Sequence, residues 1–352
     1  MELVKRDEIA KILDKYNINV TVEEIEKRHS EPHRHYHTLE HINFMINGIY
    51  ELFDRKIISG NDKDILLVAA VFHDIIMEIG KDNNEKQSAD FLLNNTEFVD
   101  EFQQNDINKA FDIILDTSDH DTSNDLSKLF CDLDMAIISD SSFTELLKYE
   151  KQVYLEFQKY PYNAYKKGRL KFLRSMLNDD YGKKNYDNIL KLIEYIESYK
   201  PKIGLYAGSF NPLHIGHKNI MDKSESFFDK VIIGIGINPE KNDDEEYTKS
   251  LKENSKNINE KFNKEVCFYS GLLTDFIKEK QKSENVDITL IRGLRDGFDL
   301  VYENRQIQYM KDMCPELKVV YIPGDREFDH ISSSGLRFLK TYDEKLIEKY
   351  LP

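Results

Sequence analysis

From Met1 to about Tyr199 the apolar residues recur at intervals of three and four, the spacing that lines one face of a helix. Asp64-Ile-Leu-Leu-Val-Ala-Ala-Val-Phe72 and Ile189-Leu-Lys-Leu-Ile-Glu-Tyr-Ile196 are examples, and β-branched runs bounded by turn residues are almost absent. The pattern predicts an all-helical domain over residues 1–199. After Tyr199-Lys200-Pro201 it changes to short apolar runs alternating with helical stretches. Strands are predicted at Ile203–Ala207, Val231–Ile237, Val266–Tyr269, Ile288–Ile291 and Val319–Ile322, with helices between them. That alternation reads as a parallel sheet with crossover helices. Pro201 cannot continue the preceding helix, so a second, α/β domain is expected over residues 200–352.

A chain of 352 residues suits two domains, and 40% hydrophobic with 32% charged residues suits a folded protein. Net charge is −15, from 64 acidic and 49 basic residues, which repels phosphate backbones and argues against a nucleic-acid partner. No apolar run approaches the roughly 18 residues of a membrane span. The opening Met-Glu-Leu-Val-Lys-Arg-Asp-Glu lacks the layout of a signal peptide, so a cytoplasmic protein is expected. Cys131, Cys267 and Cys314 are too few and too scattered for a disulfide framework or a cysteine zinc site. Half of the ten histidines, however, fall between His29 and His41.

The second domain opens with Lys202-Ile-Gly-Leu-Tyr-Ala-Gly-Ser-Phe-Asn-Pro-Leu-His-Ile-Gly-His217. A buried strand running into a Gly208-Ser209 turn, with His214 and His217 where the next helix begins, is a phosphate-binding arrangement. Backbone amides approach the anion there and the helix N-terminus adds partial positive charge. Histidines three apart share one face of the first turn and can donate to phosphate oxygens as charge builds up.

The segment from Lys202 to Pro352 resembles the bacterial phosphopantetheine adenylyltransferases. Four landmarks carry the resemblance: Gly208-Ser-Phe-Asn-Pro-Leu-His-Ile-Gly-His217, Asn238-Pro-Glu-Lys241, Arg292-Gly-Leu-Arg295 with Asp299 and Glu303 beyond it, and Ile331-Ser-Ser-Ser334. It implies a Rossmann-like parallel-sheet nucleotidyltransferase that moves the adenylyl group of ATP, with Mg²⁺, onto a phosphopantetheine-like phosphate. By the same resemblance His217, His214, Lys241 and Arg292 are the catalytic group, and Ser209, Phe210, Lys241 and Arg292 face the acceptor. Gly208, Ser209, His217, Arg292, Gly293, Arg295, Glu303, Ser332, Ser333 and Ser334 serve ATP. Arg295, Asp299 and Glu303 equally suit plain ion pairs on helix faces, and one serine suits a helix cap. Ser209 and Asn211 stand where the family usually has Thr and Asp, and the polar run Asn242–Lys264 replaces an aromatic–Glu–Arg stretch. The alternative acceptor is nicotinate or nicotinamide mononucleotide, whose adenylyltransferases share the histidine motif and a late Ser…Arg motif such as Ser334-Gly-Leu-Arg337.

In the first domain, Glu31-Pro-His-Arg-His-Tyr-His-Thr-Leu-Glu-His41 is followed by Phe72-His-Asp74 at the end of an apolar helix, then by Phe130-Cys-Asp-Leu-Asp-Met135. Imidazoles and carboxylates in this mix suit Mn, Fe, Ni, Zn or Mg. The plainer reading makes His73 a helix cap and Asp74 half of an ion pair. Residues 25–180 resemble the HD superfamily of metal-dependent phosphohydrolases through Arg34-His-Tyr-His-Thr-Leu-Glu-His41, Phe72-His-Asp74, Asn84-Glu-Lys-Gln-Ser-Ala89 and Asp132-Leu-Asp134. The resemblance implies an HD-type helical domain with metal ligands His41, His73, Asp74 and one of the two aspartates of Asp132-Leu-Asp134, Asp132 preferred. His37, Glu85, His120 and Asp134 are then supporting or proton-transfer groups, while His29, His33 and His35 are surface or packing residues. A non-catalytic regulatory module, or a domain that builds homo-oligomer contacts, remain the other readings.

Overall fold

A computed structural model describes residues 5–120, 122, 124–237, 245–295 and 297–352. The chain forms two compact units, one of residues up to Phe157 with Gly168–Ile196, the other of Gln158–Lys167 with Glu197–Pro352. Among the described residues no helix is long and apolar enough to cross a membrane.

The first part of the chain is helical: α1 (Arg6–Lys15), α2 (Val22–Arg28), α3 (Leu39–Asp54), α4 (Gly60–Phe72), α5 (Asn84–Asn94), α6 (Glu101–Asp116), α7 (Asp125–Asp134), α8 (Ala136–Ser139), α9 (Phe143–Glu156), α10 (Tyr162–Met176), α11 (Asp180–Lys184) and α12 (Tyr186–Ser198). Among the described residues the only β pairing here is an isolated bridge between Ile18 and Thr96. Helix α4 explains the arrangement of the first unit. Ser59 and Asp62 close a capping box at its start, and every residue from Ile65 to Phe72 is buried. A helix apolar on all sides must be surrounded, and α3 and α6 pack against it. Its C-terminal end therefore delivers His73 into the interior, where a polar side chain is tolerated only with partners.

The second unit contains β1 (Lys202–Gly208), α13 (Ile215–Ser224), β2 (Lys230–Gly236), α14 (Glu245–Phe262), β3 (Val266–Tyr269), α15 (Leu273–Glu284), β4 (Asp287–Leu294), α16 (Gly297–Met313), β5 (Lys318–Pro323) and α17 (Ser333–Lys340). All five predicted strands form, in the order β3-β2-β1-β4-β5, and every pairing is parallel. Strand β4 runs beyond the predicted Ile291, because Arg292, Gly293 and Leu294 continue the ladder against Tyr321, Ile322 and Pro323. The winding reverses between β1 and β4, and ligands of open parallel sheets gather outside the strand ends at such a switch point. Gly293 lets α13 pack closely there: a Cβ on it would stand 2.9 Å from Ile220 Cγ1.

The sequence reading gave residues 158–167 to the first domain, yet they cluster with the second unit, and the reason is a buried lysine. Lys230 opens β2 with its side chain wholly enclosed, paired to Glu265 at 3.1 Å. Its ammonium also donates to the carbonyls of Gln158 and, at 2.7 Å, of Tyr160. Glu265 is in turn held by Lys280 at 2.7 Å. A buried ammonium needs this full set of acceptors, and two of them lie on that segment.

Candidate functional site

In the second unit, His214 is the N-cap of α13 and His217 sits in its first turn. The His214 backbone N–H donates to His217 Nδ1 at 3.3 Å. With Nδ1 accepting, the neutral ring carries its proton on Nε2, a donor at the helix N-terminus. Burial first, then His214 and Arg295, hold the His217 pKa well below the ordinary imidazole value. The two rings stack at 3.6 Å between centroids. Gly216 makes room for this, since a Cβ there would stand 3.1 Å from His214 Nδ1. Phe210, buried and at φ 46°, sets its ring across that of His217 at 5.0 Å.

His214, Gly216 and His217 line a cavity of about 380 Å³ together with Ser209, Gly293, Arg295, Asp299, Glu303 and Ser332–Ser334. Eight of the ten expected ATP-side residues line it, Gly208 and Arg292 excepted, and several are occupied by one another or by neighbours. Arg292 lies 3.1 Å from Glu303 and donates to the Ala207 carbonyl at 3.3 Å. Arg295 makes a forked pair with Asp299 at 2.9 and 3.0 Å. The three serines are engaged differently, Ser334 only through its hydroxyl 3.3 Å from that of Ser332. Ser332 caps α17 by accepting from Gly335 N–H at 3.1 Å, and Ser333 donates to the Pro212 carbonyl at 3.0 Å. Arg337 donates to the Asn211 carbonyl, so α17 is tied at two points to the turn before His214. Lys241, with its Asn-Pro-Glu, lies outside the described residues.

Burial first, and then Arg295, push His214 down to about 4 from the ordinary 6.5. An unfolded chain therefore takes up a proton below pH 6.5 that the folded one refuses, so stability falls as pH falls from 6.5 toward 4. The expected slope is about 1.4 kcal/mol per pH unit at most, with no effect above pH 6.5. Denaturant midpoints of the second unit at pH 7 and pH 5 should separate in wild type more than in His214→Gln. Equal separations would leave the acid sensitivity to other groups.

In the first unit, His41 from α3, His73 at the end of α4 and Asp134 at the end of α7 bring ligand atoms within 4.8 Å of one another. His41 Nε2 stands 3.1 Å from both His73 Nε2 and Asp134 Oδ1. Asp74 Oδ2 lies 3.0 Å from His73 Nε2 and 3.7 Å from His41 Nε2. His73 Nδ1 donates to the Ala70 carbonyl at 3.1 Å, so Nε2 is the nitrogen turned to the cluster; burial lowers the ring's pKa, but Asp74 and Asp134 outweigh it and push it up to about 9. Burial pushes the Asp134 carboxyl up, but hydrogen bonds from His120 and His41 and the charge on His73 outweigh it and hold it well below its usual range. Two imidazole nitrogens and two ionised carboxylates facing one point fit a divalent cation, which would take the place of the imidazole protons.

Asp132, expected among the ligands, does not join them. It is half-buried, 3.4 Å from Lys128 one helical turn back and hydrogen-bonded with Tyr181. Asp134, expected as a supporting residue, takes that place, because Ser127, Phe130 and Cys131 mark the buried side of α7 and Asp134 continues it. His120, at φ 59°, approaches Asp134 Oδ2 to 3.6 Å. Glu85 is not among the converging groups. His29 is a packing residue, its Nδ1 on the Ile25 carbonyl at 3.0 Å. Beside His41 a cavity of about 420 Å³ opens between Tyr36, Phe44, Lys148, Tyr149 and Gln152.

Two residues escaped the sequence reading. Arg34, its side chain fully buried, donates to the Asp74 carbonyl at 2.6 Å and the Ile75 carbonyl at 3.2 Å, and pairs with Glu31 at 3.0 Å. Asn84 and Ser88 hold the same loop through the backbone of Glu78 and Ile76, so the Asn-Glu-x-x-Ser-Ala motif braces the turn that carries Asp74. Arg34→Ala should strand two carbonyls and Glu31 and cost about 3–5 kcal/mol in the first unit. A shift in its melting below about 1 kcal/mol would show the turn to be self-supporting. The other residue is Glu156, whose carboxylate receives the backbone N–H groups of His35, Tyr36 and His37. Nothing in the spacing from His37 to Glu156 announces this contact.

The cytidylyltransferase-like family matches residues 205–338. A phosphopantetheine adenylyltransferase of Clostridium tetani is 33% identical over 135 residues, covering 38% of this chain and 81% of that protein. One from Cytophaga hutchinsonii is 36% identical over 142 residues, covering 40% of this chain and 91% of its own. A solved Vibrio parahaemolyticus chain, provisionally named a nicotinate-nucleotide adenylyltransferase, overlaps 44% of this chain and 94% of its own at 20% identity and TM-score 0.32, too weak a likeness to argue from. Through its second unit, whose Gly208–His217 turn and histidine motif lies inside the matched residues 205–338, the chain belongs to the phosphopantetheine adenylyltransferase family of cytidylyltransferase-like proteins.

Proposed function

We propose that the second unit transfers the adenylyl group of ATP to 4′-phosphopantetheine, giving dephospho-coenzyme A and pyrophosphate. The observation that carries this reading is His217, a neutral Nε2–H donor at a helix N-terminus in the crevice of a parallel sheet. An acceptor phosphate oxygen attacks the α-phosphorus, the bond from that phosphorus to the bridging oxygen breaks, and pyrophosphate leaves with the electron pair. No protein nucleophile is required, only alignment and charge neutralisation, to which the Mg²⁺ accompanying ATP contributes. Arg292 and Arg295 reach the nucleotide by exchanging Glu303 and Asp299 for phosphate oxygens. Lys241 is the proposed anchor of the acceptor phosphate. Protein incubated with ATP, Mg²⁺ and phosphopantetheine should release pyrophosphate and form dephospho-coenzyme A. Turnover with nicotinate mononucleotide in its place would refute the acceptor assignment.

The convergence of His41, His73 and Asp134, with Asp74 beside them, supports a second activity, a metal-dependent phosphohydrolase of HD type in the first unit. These four residues would hold the ion, which when bound supplies an acidified water at neutral pH. The cavity beside His41 would take the organic part of the substrate. Release of inorganic phosphate from phosphorylated metabolites, with Mn²⁺ or Zn²⁺ supplied, tests the reading. Metal uptake without any turnover would favour a regulatory module instead.

A further inference from the structure

The loop that leaves β5 supplies Gly324, Asp325, Phe328 and Asp329 to the lining of the crevice in the second unit. The backbone N–H groups of these four residues are already engaged. Gly324 donates to the Leu294 carbonyl at 2.8 Å, Phe328 to the Asp325 carbonyl at 2.9 Å and Asp329 to the Arg326 carbonyl at 3.3 Å. Asp325 N–H donates to Asn219 Oδ1 at 3.0 Å. A wall whose amides are taken suits a nucleoside better than a phosphate, which finds its donors at the N-termini of α13 and α17.

A clamp on α13 fixes this wall. Asn219 Nδ2 donates to Asp325 Oδ2 at 2.6 Å, so with the return bond from Asp325 N–H the two residues close a ring. Lys223, one turn further along the same helix face, donates to Asp325 Oδ1 at 2.7 Å and to the Pro323 carbonyl at 2.9 Å. The far end of the loop is held differently, by Phe328 in the small apolar cluster of Ile331, Leu336 and Ile347. An aspartate on the wall of a polyphosphate site would ordinarily repel its ligand. Here each carboxylate oxygen has a donor, one of them a cation, so the charge is offset from the α13 side. Asn219 and Lys223 themselves do not line the crevice and act through Asp325.

We propose that Asn219 and Lys223 are positioning residues: through Asp325 they fix the loop after β5 as the wall that holds the nucleoside of ATP. A wall set before the nucleotide arrives does not have to be ordered on binding, which raises ATP affinity. The clamp touches none of the reacting atoms, so it acts on KM for ATP and leaves kcat alone. This rests on the adenylyl-transfer reading only in taking ATP as the ligand of the crevice.

The test measures equilibrium binding of ATP and of inorganic tripolyphosphate to the full chain with Mg²⁺, beside steady-state pyrophosphate release. Asn219→Ala should weaken ATP binding about tenfold and Lys223→Met about threefold, with KM for ATP rising in step. Tripolyphosphate affinity, kcat and KM for the acceptor should stay within about twofold of wild type. Exchanging the pair, Asn219→Asp with Asp325→Asn, keeps two bonds between the positions and leaves Lys223 a carboxylate one turn back. It should restore ATP affinity to within about twofold. Should Asn219→Ala fail to fold, Lys223→Met, which keeps the ring, and the exchanged pair must still show the loss and the recovery. ATP bound equally by wild type and the single variants would overturn the proposal. So would tripolyphosphate weakened as much as ATP, which would put the phosphates on this wall, or tighter ATP binding by Asp325→Ala, which would make the acid a plain repulsion. The reading of the second unit fails by other results. A wild-type chain that does not bind ATP sinks that reading and the proposal together. ATP binding that weakens in the variants as expected, with no dephospho-coenzyme A formed by wild type, sinks the acceptor assignment alone.

Discussion

His217→Ala should lower kcat for adenylyl transfer by about 10²–10³ while leaving KM for ATP and acceptor within a few-fold. The reason is the location of its proton. Nδ1 accepts the His214 backbone N–H at 3.3 Å, so Nε2–H is the donor the ring offers. Burial, with His214 and Arg295 nearby, keeps the ring neutral. A neutral donor binds a dispersed ground-state phosphate weakly and gains most as charge concentrates on the transferring group. Its contribution therefore belongs to kcat. The same residue also has a structural part, because the variant loses the Nδ1 acceptor that helps cap α13. That part should cost about 1 kcal/mol of stability, visible as a lower melting temperature of the second unit. The two effects separate cleanly. A melting shift with unchanged kcat would reduce His217 to a helix cap and move the chemistry to other residues of the crevice.

The periodicities carried most of the fold because each unit buries a regular face. The five apolar runs after Pro201 became the five strands: the central β1 and β2 are buried on both sides and read as continuous apolar segments, and the half-buried edge strands β3 and β5 keep enough of that texture to be seen. The helical texture of the first part likewise followed from helices packed around α4. Long-range contacts were not legible. Glu156 lies 119 residues from His37, and no local pattern links a helix-terminal glutamate to a distant loop. Arg34 sits 40 residues before Asp74, and its buried guanidinium resembles any surface arginine in the sequence. The two arginines of Arg292-Gly-Leu-Arg295 show a subtler limit. Their residue type suits phosphate, yet the structure pairs both with acids of α16. A sequence offers both partnerships, and only the presence of ligand decides between them.

Asp134→Ala should abolish metal binding by the first unit, whereas Asp132→Ala should leave it intact. This reverses the order that the Asp-Leu-Asp motif suggested, and the helical period is the cause. On α7, Ser127, Phe130 and Cys131 are buried. Asp134 follows Phe130 by four and Cys131 by three, so it projects from that inner side. Asp132 follows Lys128 by four and shares the outer side, where the two pair at 3.4 Å. This half-exposed pair contributes little, and with the hydrogen bond to Tyr181 its loss should change stability by about 1 kcal/mol. Asp134 is placed very differently, 3.1 Å from His41 Nε2 and 3.9 Å from His73 Nε2, with His120 3.6 Å from its second oxygen. Removing its carboxylate takes away one of four donors and the negative charge that offsets a divalent ion. A loss of at least about 100-fold in metal affinity is expected, comparable to or beyond that caused by removing a ligand's own support. Elemental analysis after equal dialysis of the two variants reads the difference directly. Adenylyl transfer by the second unit should be unaffected in both, which guards against general misfolding. Full metal in Asp134→Ala with none in Asp132→Ala would mean that α7 rotates on metal binding and that the motif's first aspartate is the ligand after all.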